Sequence, residues 1–279
     1  MADKVNASKL VRDNFRVDKL PHIWCPGCGH GVLMRAVAKA IENLGWNKDK
    51  VCIVSGIGCS SRAPGYMNFN TLHTAHGRAL AFATGLKLAN PELHVIVISG
   101  DGDAAAIGGN HFIHSARRNI DITCIVFNNS VYGMTGGQYS PLTPTYDLAT
   151  TAPYGNIDPA FDLIKLAEGA GATYLARTTA YHVTGPNSAE KLIEKALMNK
   201  GFSMVEGISE CPTYYGRKNK KGNAVQLMNW MKDNAIDVEK AKTLSPAELK
   251  DKIVIGEFKN APGAEYTDEY QKIIDKVKL

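Results

Sequence analysis

The sequence predicts an α/β fold: a mostly parallel sheet with helices on both faces. Three observations predict it. Between residues 95 and 129 an apolar run, a glycine turn, a helix-like segment and a second apolar run succeed one another, which is one βαβ unit. Apolar runs and helix-spaced segments keep alternating through residue 208. Polar glycine turns stand at the carboxyl ends of two of these runs, Ser55-Gly56-Ile57-Gly58 and Gly100-Asp101-Gly102-Asp103, where open sheets of this class place their ligands.

Taken in order, residues 1–20 are polar and mixed in charge and read as an arm lying on the domain or on a partner. Val32, Leu33, Val37, Ala40, Ile41 and Leu44 share a helical face, so a helix over 31–44 is predicted, stopped by Gly45. Residues 51–54 form a short buried strand, and a helix over 79–89 ends at Asn90-Pro91. The central unit follows, with strand 95–99, helix 104–118 and strand 122–127. Residues 139–157 are rich in Pro, Thr and Tyr. They are long for a structureless connection and read as an interface with a partner subunit. Asp158-Pro159 suits the cap of a helix running to about Gly169. Strand 173–177, helix 189–199 and strand 203–208 complete the alternation. Beyond it, 223–234 is amphipathic, Ser245-Pro246-Ala247-Glu248 is a capping box for a short helix, 252–258 suits a strand and 268–277 a helix.

The formal charge of +5 can favour an acidic partner without calling for nucleic acid. No run of 18 apolar residues is present, so no membrane span is expected. The first residues lack the apolar core of a signal peptide, and a cytoplasmic protein is expected. That compartment argues against a disulfide framework for the six cysteines. Cys52 and Cys124 lie inside strand runs and read as buried fillers. Cys25, Cys28, Cys59 and Cys211 stand beside glycine or proline in loops, a metal-site count. The turn Cys25-Pro26-Gly27-Cys28 suits zinc, an iron–sulfur cluster or thiol redox chemistry equally.

The central turn points to a phosphate held through a metal. Gly100 and Gly102 let the backbone approach a ligand, and the helix start that follows favours an anion. Asp101 would repel a bare pyrophosphate. A hard cation such as Mg²⁺ removes the conflict, taking oxygen from Asp101, Asn129 and a backbone carbonyl near Val131. Gly100-x-Gly102-x-x-Ala105 also fits a dinucleotide fingerprint, with Asp121 roughly 20 residues on. Asp121, however, precedes the second strand, whereas a ribose-binding acid stands at its end, where Asn128 and Asn129 lie. The guanidinium of Arg62 suits a carboxylate, with an ordinary exposed arginine as the alternative. Arg217 to Lys221 reads as a solvated basic loop, with partner docking as the alternative.

Gly100-Asp101-Gly102 followed by Asn128-Asn129 resembles the thiamine-diphosphate motif of the thiamine enzyme superfamily. The longer runs, Gly100 through Asn119 and Tyr132-Gly133-Met134-Thr135-Gly136-Gly137-Gln138, resemble the beta subunit of the 2-oxoacid:ferredoxin oxidoreductases, above all the 2-oxoglutarate members. The resemblance implies a thiamine-diphosphate-binding fold. Residues 1–219 would hold thiamine diphosphate, Mg²⁺ and a [4Fe–4S] cluster, and 220–279 would be an extension packing on the core or a partner. It puts the metal on Asp101, Asn129 and Val131, and the cluster on Cys25, Cys28, Cys59 and Cys211. Ile57, Gly58, Cys59, Ser60, Gly102, Asp103, Gly133 and Met134 would border the cofactor. His76 would stand beside the diphosphate, with His73 the weaker candidate, and Arg62 would anchor the substrate carboxylate.

The implied reaction is oxidative decarboxylation of a 2-oxoacid to acyl-CoA and CO₂, with 2-oxoglutarate ahead of pyruvate or branched acids. The thiazolium ring serves as electron sink, and electrons leave singly through the cluster to ferredoxin. No segment supplies a pyrimidine-activating glutamate, so an alpha subunit is implied and the chain alone is expected to be inactive. Two other readings stay open: a non-redox thiamine enzyme subunit with zinc on its cysteines, and a non-catalytic, metal-stabilised partner module.

Overall fold

The computed structural model describes residues 8–277, so residues 1–7 of the predicted arm and the last two of the tail lie outside the described residues. The strands are β1 (Val51–Ser55), β2 (Asn70–His73), β3 (His94–Gly100), β4 (Thr123–Asn128), β5 (Val131–Tyr132), β6 (Gln138–Tyr139), β7 (Tyr174–Thr179), β8 (Ser203–Ile208), β9 (Ala235–Asp237) and β10 (Ile253–Asn260). The α-helices are α1 (Lys9–Asn14), α2 (His30–Leu44), α3 (Ala63–Tyr66), α4 (Ala79–Ala89), α5 (Gly109–Arg117), α6 (Leu163–Ala170), α7 (Ala189–Met198), α8 (Ala224–Asn234), α9 (Val238–Ala241) and α10 (Tyr266–Val277).

The main sheet runs in the order β2-β1-β3-β4-β8-β7-β10-β9. It is parallel from β2 to β7, while β10 pairs antiparallel with β7. Successive residues of the inner strands serve two cores, as a doubly covered sheet requires. Ile96, Ile98, Ile125, Phe127 and Val205 pack under α2 and α7. Val95, Val97, Cys124, Val126 and Met204 pack under α4, α5 and α6. Cys52 and Cys124 are buried fillers of the second core. Gly45 ends α2 in the left-handed conformation, at φ 64°. The part of the arm described lies on the domain, with Leu10 and Phe15 buried and Phe15 bridged to Met67.

Several predicted elements change. The helix predicted over 104–118 is a π-helical turn, Asp103–Ile107, followed by α5. Asp158 does not cap α6; Asp162 does, accepting from the Ile164 N–H. Phe161 N–H donates to Pro141 O and Asn156 Nδ2 to Asp158 O, which keeps 158–161 extended against the preceding loop. Ser245 and Glu248 make their reciprocal bonds, but only a turn forms. From residue 220 on, the chain adds β10 and β9 to the sheet edge and sends Met231 into the first core.

Candidate active site

Asp103 organises the carboxyl end of the sheet. Its buried carboxylate accepts from Ser99 Oγ at 2.6 Å, Gly77 N–H at 2.7 Å and Ile57 N–H at 3.3 Å, and Oδ1 lies 2.5 Å from His76 Nδ1. Three segments distant in sequence are thereby drawn together: the turn after β1, the turn before α4 and the turn after β3. The family resemblance implies that Asp103 borders the cofactor. It does line the cleft, but its oxygens are taken by protein donors, so it positions His76 and the Ile57 turn. His76 is left half-exposed, with Nδ1 engaged and its ring on the cleft.

That cleft gathers Ile57, Gly58, Cys59, Ser60, His76, Asp101, Gly102, Asn129, Val131, Gly133 and Met134. Asp101 is 4% exposed and accepts from Ser140 Oγ at 2.5 Å. Burial pushes its carboxyl up to about 7, against that hydrogen bond. The Gly102 and Asp101 backbone N–H groups also donate to it, yet burial outweighs all three bonds, so a cation beside this carboxylate is stabilising. Asn129 is buried beside it, its Oδ1 accepting from the Val131 N–H at 3.4 Å. The Ser60 hydroxyl is buried without a protein partner, an orphaned group on the cleft wall. The donor set is hard oxygen plus an unused hydroxyl, which fits a magnesium-bound diphosphate. Asn128 is committed elsewhere: Nδ2 donates to Glu206 at 2.8 Å within the Glu206–Arg177–Asp162 ion-pair chain.

A second cavity is lined by all four loop cysteines, Cys25, Cys28, Cys59 and Cys211, with Trp24 and the turn from Pro212 to Tyr214. Burial pushes the Cys28 thiol up to about 12 and that of Cys59 to about 11, and neighbouring cysteines add to both. Among the described residues no group of three or more His, Cys, Asp or Glu side chains is set to hold one metal ion. The sulfurs surround a space instead of meeting at a point.

The two cavities share a wall of Cys59, Asn129, Gly133 and Met134. Gly133 is its centre. A Cβ there would lie 3.3 Å from Cys59 Sγ, 3.6 Å from Asn129 Nδ2 and 3.8 Å from Cys211 Sγ. Arg62 stands apart: it is exposed, lines neither cavity, and lies near His73, which in turn contacts Ser55 Oγ at 3.1 Å. Four contributors escape the sequence reading. Ser140 reaches Asp101 from 39 positions away, and no local pattern signals it. Trp24 donates to the Cys59 carbonyl. Buried His30 contacts Ser209 Oγ at 2.9 Å and lines the cleft. Tyr132 covers the Gly102 turn, and its place between Asn129 and Gly133 is the signal that marks it.

Comparison with known proteins agrees with this geometry. Residues 56–207 match the thiamine pyrophosphate enzyme family, C-terminal TPP binding domain. The chain is 53% identical over 262 residues to 2-oxoglutarate synthase subunit KorB of Methanothermobacter marburgensis, covering 94% of this chain and 91% of that one. It is 52% identical over 264 residues to the KorB subunit of Methanocaldococcus jannaschii, covering 95% and 97%. Its fold matches a solved 2-oxoglutarate:ferredoxin oxidoreductase from Magnetococcus marinus, with 2-oxoglutarate, coenzyme A and succinyl-CoA bound. The TM-score is 0.84 and the identity 31%, over 99% of this chain and 93% of that one. A thiamine-binding domain at the sheet's carboxyl edge, and this degree of identity along nearly the whole chain, place the protein in the beta-subunit family of the 2-oxoacid:ferredoxin oxidoreductases, in its 2-oxoglutarate branch.

Proposed function

We propose that this chain holds thiamine diphosphate and Mg²⁺ in the Asp101 cleft and a [4Fe–4S] cluster in the four-cysteine cavity. With an alpha subunit it oxidatively decarboxylates 2-oxoglutarate in the presence of coenzyme A and delivers single electrons to ferredoxin. The observation that carries this reading is the wall common to both cavities, where groups of each meet around Gly133.

When bound, thiamine diphosphate supplies an electron sink for decarboxylation. The chain's own residues prepare its place. Asp101, Asn129 and the Val131 carbonyl offer oxygen to a hard cation. Ser60 offers an unpaired hydroxyl. Asp103 fixes the His76 ring by Nδ1, so Nε2 is the nitrogen left for a ligand. Tyr132 and Met134 wall the cleft against water. A cluster suits the cysteines better than zinc does. Zinc draws four sulfurs to about 2.3 Å of one centre, whereas a cluster takes one thiolate on each of its spaced irons. No disulfide ties up Cys25, Cys28, Cys59 or Cys211, so all four sulfurs are available to a cluster. No helix among the described residues is long and apolar enough to cross a membrane. Ile57, Ile107 and Met134 are exposed apolar side chains near the cleft, and Tyr146 and Tyr154 are exposed on the 139–157 loop. Such surface supports a covering alpha subunit.

The test is anaerobic co-expression with the alpha subunit, followed by iron, sulfide and thiamine analysis and dye reduction with several 2-oxoacids. About four irons per chain are expected, with 2-oxoglutarate the best substrate. Cys25→Ser and Cys211→Ser should lose iron, and Asp101→Ala should lose thiamine with folding intact. Zinc in place of iron would overturn the redox reading, and turnover by the isolated chain would overturn the need for a partner.

A further inference from the structure

The turn that follows the last cluster cysteine carries three displayed cations. Cys211 leads directly into the turn Pro212–Gly216, of which Pro212, Thr213 and Tyr214 line the four-cysteine cavity. Arg217 folds back on that turn, its Nε and one terminal nitrogen donating to Thr213 O at 2.9 and 2.8 Å. Arg217, Lys218 and Lys220 are exposed. Lys221 is used differently: it pairs with Asp147 at 3.1 Å and donates to the Tyr215 hydroxyl at 2.7 Å. That pair neutralises Asp147. Among the described residues no carboxylate lies within ion-pair reach of Arg217, Lys218 or Lys220. The turn is also fixed. Asn219 Oδ1 accepts from the Leu148 N–H at 2.7 Å, and its Nδ2 donates to Leu148 O at 2.9 Å. Exposed Cys25 and Ile23 line the same cavity, so it reaches the surface, and Arg217 reaches its lining at Thr213.

We propose that Arg217, Lys218 and Lys220 form a docking rim for a small acidic electron-carrier protein seated over the four-cysteine cavity. The proposal rests on the cluster reading above. Like charges fixed on a rigid turn create a local positive potential. Such a potential speeds the encounter with an acidic surface and orients it toward the mouth. Arg217 also supports the turn, so the two lysines are the cleaner probe.

The experiment measures binding of an oxidised, net-negative 2[4Fe–4S] ferredoxin to the assembled enzyme by biolayer interferometry, at about 0.05 M and about 0.3 M salt. The variants are Lys218→Glu/Lys220→Glu and, as a control of equal charge change, Lys272→Glu/Lys276→Glu on α10. The first pair should weaken binding about 10-fold at low salt and flatten its salt dependence; the control should bind as the unaltered enzyme does. Viologen reduction should be equal in all three. Equal binding by both variants would overturn the rim. So would failure of the first variant to assemble, since the partner subunit would then cover this face. A complex without iron would instead overturn the cluster reading itself.

Discussion

Trp24 Nε1 donates to the carbonyl oxygen of Cys59 at 2.7 Å, fastening the loop of Cys25 and Cys28 to the turn that carries the third thiol. The indole is buried against Tyr66 and His30. Trp24→Phe keeps an aromatic ring and removes the donor. The carbonyl still accepts from the Arg62 N–H, so the expected cost is one hydrogen bond, about 1 kcal/mol. The melting temperature should fall by about 2 °C. Iron per chain should fall in the same preparation, because Cys59 loses its tether; unchanged iron would show that the turn holds itself.

Asp103 gathers four donors or ring contacts in a buried position. Asp103→Ala strands them together and should cost about 4 kcal/mol in urea unfolding. Asp103→Asn keeps an acceptor but loses the charge that orients His76. It should fold, keep its iron, and lose at least about 10-fold in kcat in the assembled complex. An Asn variant with full kcat would show that His76 needs no orientation.

Gly102 lies under Tyr132, and a methyl group there would sit 2.1 Å from a ring carbon. Gly102→Ala should push the ring into the cleft. Overpacking of this kind costs about 1 to 3 kcal/mol, so thiamine diphosphate should bind about 10- to 100-fold more weakly by calorimetry. Adding Tyr132→Ala should restore part of that affinity. A double variant no better than Gly102→Ala would place the obstruction elsewhere.

At the opposite end of the sheet, His94 stacks on Trp46 with ring centres 3.6 Å apart and planes 7° from parallel. Burial, and then Lys87, hold its pKa below the ordinary 6.5, with Asp121 opposing them. Folding therefore favours the neutral ring. Its contribution is present above 6.5 and is lost as pH falls from there toward the lower folded value. His94→Phe keeps the stack without the proton. Its urea midpoint should drop less than that of the unaltered protein between about pH 8 and about pH 5.5. Equal drops would assign the acid sensitivity to the other histidines.

Strands buried on both faces are legible as apolar runs, and so β1, β3, β4 and β8 can be read directly. β2, an edge strand with no buried residue, carries no such run and escapes notice. Asp158-Pro159 has the chemistry of a cap, yet Asp162 wins because Arg177 also holds it, at 2.8 Å. The cysteines and the Asp101 turn are visible because each ligand type stands in an informative local setting. Ser140 and Trp24 act across the fold on groups far along the chain, and spacing says nothing about them. Arg62 is the opposite case: its chemistry suits a substrate, while its side chain stands outside both cavities.

β10 joins β7 from the opposite direction, and it is made last. Every side chain assigned to the two cavities lies at or before Tyr214 in the chain, while the outer flank of β7 waits for residues 253–260. A nascent chain stalled in that interval would carry its ligand-binding side chains beside an unpaired backbone ladder, the kind of flank on which chains self-associate. The antiparallel strand closes, late in synthesis, a flank that the parallel sheet leaves open.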